Sequence, residues 1–235
     1  MKIRIGVVLS LMVVCLAFSS LMFAADDAYL YIVHGLPGRD VSASLDPALP
    51  VDILLNNDLC IERGTTFGLV VGPLVLPSGQ YNLKMGPANP FVPCSDSPIV
   101  ETDVSLKAGQ DVTAVAALDE KGQPTVLNFV NDLASVAEGK TRVILTNAGD
   151  APVLQVTLQV VNSKQKYTYN VNPGKAVDAT LPANAYTIEV AAKDSLLIPP
   201  QPILLPSVSA TLVYAVGRAD NGSLALVTKT IRGVL

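Results

Sequence analysis

The chain has 235 residues, of which 16 are basic, 20 are acidic and one is histidine, so its formal net charge is −4. A mildly acidic chain with thinly spread charges lacks the basic surface to which nucleic acid and anionic lipid bind. The sequence contains no tryptophan, which weakens sugar binding by stacking. A zinc site needs several His or Cys ligands, and a chain with a single histidine has few of them. We therefore predict no cofactor, no metal site and no nucleic-acid partner.

The N terminus has the pattern of a secretory signal peptide. Basic residues precede an apolar run from Ile5 to Phe18, and small and polar residues follow it. We predict a signal peptide over residues 1–25 and a mature chain that is secreted, periplasmic or at the cell surface. An uncleaved membrane anchor is the alternative, because Met22 or Phe23 stands where the cleavage site prefers a small residue.

Short strands separated by turns account for the first half of the mature chain. The predicted strands cover residues 28–33, 51–55, 59–61, 67–76, 81–85, 104–106, 111–118 and 125–130. Asn56, Asn57 and Asp58 predict a hairpin turn. No helix is predicted before residue 131.

Residues 131–140 form the candidate linker, whose composition allows a single helical turn. The strand pattern then restarts over residues 141–145, 153–161, 167–171, 186–190, 210–217 and 224–231. About seven short strands in each half, with frequent turn signals, are typical of β-sandwiches. We predict an all-β protein of two tandem antiparallel immunoglobulin-like β-sandwich domains, at residues 26–135 and 136–235.

A short motif occurs once in each half of the mature chain. LPSGQY, which ends at Tyr81, returns 105 residues later as LPANAY, which ends at Tyr186. The fourth positions hold Gly79 and Asn184, two residue types that tolerate positive φ, so we expect a retained backbone conformation there. The motif is typical of a tyrosine corner, in which the phenol bonds a nearby backbone group. We therefore interpret Gly79 and Tyr81, and likewise Asn184 and Tyr186, as parts of a structural turn.

The predicted mature chain keeps two cysteines, Cys60 and Cys94. An even pair in an exported chain predicts a disulfide. Two buried free thiols are the alternative.

Several motifs of the first half, taken in order, resemble a known family. They are Val33-His34 at the end of the first strand, the segment from Pro50 to Asn56, the LPSGQY turn, and Lys107-Ala108-Gly109 before a strand rich in Val and Ala. Together they resemble the bacterial immunoglobulin-like surface domain catalogued as domain of unknown function 4397, over residues 28 to about 130. The resemblance implies export and a sandwich fold, and it supplies no catalytic residues. We expect the second half to be a diverged copy that keeps only the later part of the pattern.

His34 is the one possible histidine base for a nucleophilic mechanism. No Gly-x-Ser-x-Gly motif accompanies it, so we favour a histidine that bonds backbone groups at a strand end. We predict no catalytic residues and no enzymatic activity.

Oxygen ligands for calcium are concentrated in one region. They are Asp46, Asp52, Asn56, Asn57 and Asp58. These residues lack a defined ligand spacing, so we favour solvated turn residues over a metal site.

Two proline-rich stretches, residues 87–98 and 196–206, have two interpretations. They are either a partner surface or edge loops that prevent strand-to-strand aggregation, and we favour edge loops.

These features together predict an exported, non-enzymatic cell-envelope protein with a structural, adhesion or protein-interaction role. Its partner would be a protein or another envelope component, and the mature chain would insert into no membrane unless the signal is retained. The alternative is a sugar-, peptide- or calcium-binding module of an exported complex.

Overall fold

A computed structural model describes residues 27–95, 97–193 and 195–233 of the chain. The predicted signal peptide, residues 1–25, lies outside the described residues. In the described ranges, no helix is long and apolar enough to span a membrane.

The first half forms domain 1, which contains two four-stranded sheets. Its strands are β1 (Asp27–His34), β2 (Val51–Leu55), β3 (Leu59–Thr65), β4 (Val70–Pro77), β5 (Gly79–Pro87), β6 (Val100–Leu106), β7 (Asp111–Leu118) and β8 (Pro124–Asn131). The strand orders are β4-β1-β7-β8 and β3-β2-β5-β6. One short helix, α1 (Gly38–Val41), interrupts the loop after β1. The prediction of no helix was wrong here, because a single turn carries no apolar periodicity for a sequence pattern to detect.

The second half forms domain 2, which repeats this topology strand by strand. Its strands are β9 (Lys140–Asn147), β10 (Leu154–Val160), β11 (Lys166–Val171), β12 (Lys175–Pro182), β13 (Asn184–Ala192), β14 (Ser195–Leu205), β15 (Ser209–Val216) and β16 (Ala225–Arg232). The sheet orders are β12-β9-β15-β16 and β11-β10-β13-β14. Every strand of domain 1 thus has a counterpart in domain 2, with β10 in the place of β2, so the expected divergence of the second copy concerns its sequence motifs and not its strands.

The predicted fold class, two tandem β-sandwiches, is confirmed. One pair in each domain departs from an antiparallel arrangement, since β1 pairs with β7, and β9 with β15, in parallel. Parallel neighbours need a long connection, and each of these pairs is separated by five intervening strands.

Each domain has its own core between its two sheets. In domain 1, alternate residues of β1, among them Leu30 and Ile32, face Leu83 and Met85 of β5. In domain 2, the corresponding core contains Leu158 and other fully buried side chains. Burying one such aliphatic side chain stabilises the fold by about 1.5–3 kcal/mol.

A third apolar layer joins the two domains. The outer faces of sheets β4-β1-β7-β8 and β12-β9-β15-β16 pack together through Val33, Val115, Ala117, Phe129, Ile144, Ala148, Leu212, Tyr214, Val216 and Val227. All eight residues of β15 are buried as a result. The molecule is thus a stack of four sheets, in which β7 and β15, inner strands of the two central sheets, are buried on both faces along almost their whole length.

Polar bonds and one close backbone approach accompany this apolar junction. Thr113 Oγ1 and Tyr214 Oη share a hydrogen bond of 2.7 Å, and Lys229 Nζ donates to the Gly72 carbonyl at 3.1 Å. At Gly35, a Cβ atom would lie 2.8 Å from Val216 Cγ1 and 2.7 Å from the Ala116 carbonyl oxygen. At Gly35 the two domains therefore approach each other too closely to leave room for a side chain.

The candidate linker between β8 and β9 has no regular secondary structure over residues 132–137. The single helical turn that its composition allows does not form there. Asp132 Oδ1 accepts the Ala134 amide at 2.9 Å, and Asp132 Oδ2 pairs with Arg142. These contacts provide the segment with polar partners without a helix.

The repeated LP motif forms a corner at which the chain passes from one sheet of a domain to the other. Tyr81 Oη donates to the Pro77 carbonyl at 2.7 Å, and Tyr186 Oη donates to the Pro182 carbonyl at 2.8 Å. The two hydroxyl groups thus make the same bond across the β4–β5 and β12–β13 connections.

The two copies share one backbone arrangement at the fourth motif position, as expected, but it is not the left-handed one. Neither Gly79 nor Asn184 has a positive φ angle. Both residues begin strands that pair directly, Gly79 with Leu106 and Asn184 with Leu205. The connection is a bend at residues 78 and 183 between two strands that belong to different sheets, so it does not need the left-handed residue of a tight hairpin.

The second proline-rich stretch is a strand and not a loop. Residues 195–205 form β14 at the edge of its sheet. The interpretation as an edge was correct. Proline is tolerated there because an edge strand can leave one side of its backbone unpaired.

Candidate functional site

A disulfide ties the loop after β5 to strand β3. Cys60 and Cys94 are bonded, with their Cα atoms 5.9 Å apart, so the predicted disulfide is present. We call residues 88–95 the clamped loop.

Asp52 of β2 holds the base of the clamped loop. Its Oδ1 accepts the Gly64 amide at 3.0 Å, and its Oδ2 accepts the Cys94 amide at 2.9 Å. The side chain is only 5% exposed, so the prediction that Asp52 is a solvated turn residue was wrong. A buried carboxylate needs such donors, and here they attach β3 and the clamped loop to the core strand between them.

The other candidate calcium ligands also serve local backbone geometry. Asp46 accepts the Ala48 amide at 2.8 Å, and Asn56 accepts the Asn82 amide at 3.0 Å. Asn56 and Asn57 have φ angles of 52° and 66°, as the first residues of a tight hairpin turn require. Within the ranges that the structure describes, no group of three His, Cys, Asp or Glu side chains is placed to bind a metal ion.

The tip of the clamped loop presents two apolar side chains to solvent. Phe91 is 91% exposed and Val92 is 57% exposed. Asn89 Oδ1 accepts the amides of both residues, at 2.9 and 3.1 Å. The Asn89 side chain thus supplies hydrogen bonds to the backbone of the tip from within the loop itself.

His34 lies at the end of β1 and is fully buried. Its Nε2 donates to the Leu49 carbonyl at 2.7 Å, while Nδ1 accepts the Leu36 amide at 3.3 Å. Burial lowers the pKa of the imidazole below its usual 6.5, and the bond to Leu49 opposes that shift. Because backbone groups occupy both ring nitrogens, His34 is placed as a structural residue, as the sequence favoured.

A cleft opens at one end of the domain junction, and sequence reasoning did not find it. We call it the Asp111 cleft; it has a volume of about 390 Å³ and is lined by Tyr29, Tyr31, Pro73, Asp111, Leu133, Ile231, Arg232 and Gly233. Asp111 begins β7 and pairs with Tyr29 of β1, and Tyr31 follows two residues along the same face. In the sequence, Asp111 is one polar residue before an apolar strand, and its neighbours come from segments that only the fold brings together.

Burial raises the pKa of the Asp111 carboxyl from 3.8 to about 6. It also raises the pKa of Tyr31 to about 12, with a further contribution from the charge of Asp111. In the described part of the chain, no hydrogen-bond donor or cation contacts this carboxylate. Asp111 thus differs from Asp52, whose burial is compensated by two amide donors.

Comparisons with solved structures return distant similarities. The Bacillus anthracis TIE protein is 13% identical with a TM-score of 0.27, and the match covers 82% of this chain and 33% of that one. A candidate cell adhesion protein from Bacteroides ovatus is 10% identical with a TM-score of 0.29, and the match covers 89% of this chain and 98% of that one. A second such protein, from Bacteroides fragilis, is 10% identical with a TM-score of 0.28, covering 88% and 98%.

These TM-scores are too low to carry an argument about role, and this chain spans about a third of the length of the Bacillus protein. No curated protein matches the sequence. The family described as Domain of unknown function (DUF4397) matches residues 28–157. This match covers more than half of the chain, spans nearly all of domain 1, as the motifs around the first strand and the LPSGQY turn predicted, and continues through β9 into β10. The chain therefore belongs to the DUF4397 family.

Proposed function

We propose that this protein is an exported, non-enzymatic cell-envelope protein that binds a protein partner through the tip of the clamped loop. A disulfide persists in oxidising compartments, which agrees with the predicted signal peptide and with a location outside the cytoplasm. The division into domains at residues 26–135 and 136–235 is part of this proposal, because the two sandwiches would act as one stiff support.

The observation that carries the proposal is Phe91, which is 91% exposed on a loop that the rest of the domain holds in place. The disulfide, the Asp52 carboxylate and the Asn89 side chain all fix the loop without a partner. A surface that is ordered before binding loses little conformational entropy on association. Exposed aromatic side chains are common anchors of protein interfaces.

A protein with an apolar pocket fits this tip better than a membrane surface does. Interfacial membrane binding draws on a large apolar face and on basic residues that meet anionic lipid. The tip offers two apolar side chains, Phe91 and Val92, and the chain as a whole carries a net charge of −4. One aromatic ring beside a smaller aliphatic group matches a pocket of side-chain size.

Site-specific photocross-linking tests the proposal. The photoreactive analogue p-benzoylphenylalanine would replace Phe91 in the full chain, expressed in its native envelope. A matched protein would carry it at Val161, which is 42% exposed in domain 2. We expect a discrete protein adduct from position 91 that is absent from position 161, and mass spectrometry would identify it.

Direct binding to the purified partner completes the test. Phe91→Ser should leave the melting temperature unchanged, since the ring makes few contacts, and should weaken binding at least about tenfold, as loss of an interface anchor does. Adducts with lipid alone, equal adducts from both positions, or unchanged binding by Phe91→Ser would each refute the proposal.

A further inference from the structure

The Asp111 cleft has features that the proposed function does not use. It lies at the domain junction, between the first residues of β1 and β7 and the end of β16. The clamped loop follows β5 in the other sheet of domain 1. A ligand in the cleft would therefore bind independently of a partner at the loop tip.

Asp111 is a partly buried anion without a donor from the described chain. Leaving a carboxylate in such a place is costly unless hydrogen bonds or a cation compensate it. Asp52 in the same domain is compensated by two backbone amides. An uncompensated carboxylate in a cleft is a common feature of binding sites.

The neighbours of Asp111 suit a cation with an organic body. Tyr29 and Tyr31 lie on the same sheet face and supply aromatic surface, which attracts cations. Leu133 and Ile231 add apolar walls from the linker and from β16. A bare metal ion would gain nothing from these walls, whereas an alkyl chain would be buried by them.

We propose that the Asp111 cleft binds a primary alkylammonium group, with the Asp111 carboxylate accepting its N–H bonds and the tyrosines and aliphatic walls covering its carbon chain. The group comes from a free alkylamine or from a lysine side chain displayed by another protein. Arg232 lines the same cleft, and its positive charge opposes cation binding, so the ammonium group would lie on the Asp111 side of the cleft and a second positive charge on the ligand is disfavoured.

Amide NMR of the mature, 15N-labelled protein at neutral pH tests this assignment. The probe is n-butylamine, and its matched control is n-butanol, which has a similar shape and no charge. We expect saturable shifts of the Tyr29, Tyr31 and Asp111 amides with the amine, with a dissociation constant of about 1–10 mM, as befits so small a ligand. Butanol should give no saturable shift.

Two variants assign the effect to the carboxylate. Asp111→Asn keeps the size of the side chain and should weaken amine binding at least about tenfold, because the charge is lost. Glu120→Gln removes a solvent-exposed negative charge at the β7–β8 hairpin, outside the cleft, and should bind as wild type does. Equal shifts with butanol, shifts spread over the surface without saturation, or unchanged binding by Asp111→Asn would overturn the proposal.

A second titration separates the two sources of the group. Nα-acetyl-lysine methylamide presents a lysine side chain in a peptide-like setting, and its Nε-acetyl derivative is the uncharged control. If the lysine compound binds and its Nε-acetyl derivative does not, the result supports a displayed lysine side chain. If butylamine binds and the lysine compound does not, the result supports a free alkylamine. Failure of all these amines would refute the cleft assignment and would leave the Phe91 proposal standing, since that has its own readout.

Discussion

The two tyrosine corners allow one hydrogen bond to be compared in two environments. Tyr81→Phe and Tyr186→Phe each remove only a hydroxyl group, whose bonds to the Pro77 and Pro182 carbonyls measure 2.7 and 2.8 Å. Tyr186 is fully buried, whereas Tyr81 is partly exposed. Water can replace the lost partner at Tyr81 more readily than at Tyr186.

This difference sets the expected magnitudes. A hydrogen bond contributes about 1 kcal/mol net, and a buried group left without a partner costs more. We therefore expect a loss of about 0.5 kcal/mol in the free energy of unfolding for Tyr81→Phe and about 1–1.5 kcal/mol for Tyr186→Phe. The Tyr186 ring stays in place beside Tyr167, 6.3 Å away between centroids, so packing is preserved.

Urea unfolding followed by circular dichroism measures both values in a protein that begins at Asp26. Tyr169→Phe is the control, because the described structure shows no hydrogen bond from its hydroxyl group, and it should change stability little. Equal losses at Tyr81 and Tyr186, or a larger loss at Tyr81, would refute the argument from burial. No loss at either position would show that the corners are held by backbone pairing alone.

Four further predictions concern stability. Burial lowers the pKa of His34, so the unfolded state binds its proton more readily and the free energy of unfolding should fall as the pH drops below about 6.5. The pKa of its imidazole, measured by NMR, should lie below 6.5, and an unshifted pKa would contradict this. The pKa of Asp111 is raised from 3.8 to about 6, so the native state holds its proton more tightly and this residue lowers the free energy of unfolding as the pH rises through that window. Asp111→Asn should therefore melt at a higher temperature than wild type at pH 7. A lower melting temperature for the variant would count against an uncompensated charge at this position. Cys60→Ser should lower the unfolding free energy by up to about 3–4 kcal/mol, with no further loss on adding reductant; equal melting of wild type with and without reductant would reject a stabilising role. The fragment 26–135 should associate or aggregate, because it would expose the apolar face that domain 2 covers; a stable monomer by light scattering would argue that the junction contributes little.

Much of the fold could be predicted from local residue patterns in the sequence. Alternating apolar and polar residues mark strands such as β5, and Asn56-Asn57 marks the β2–β3 hairpin through residue types that accept positive φ. The same reasoning misassigned Gly79 and Asn184, because a residue type that permits positive φ does not require it. The predicted signal peptide, and the two cysteines that remain after its removal, were sufficient to predict the Cys60–Cys94 disulfide.

Only the tertiary structure decided which faces are covered and which side chains meet. Strands β7 and β15 read as apolar runs, and a run of this kind does not reveal that another domain covers its second face. Asp111 lies beside Tyr29 because β1 and β7 pair in parallel across five intervening strands. Sequence patterns report the neighbours of a residue along the chain, whereas the environment of Asp111 and the exposure of Phe91 depend on contacts between distant segments.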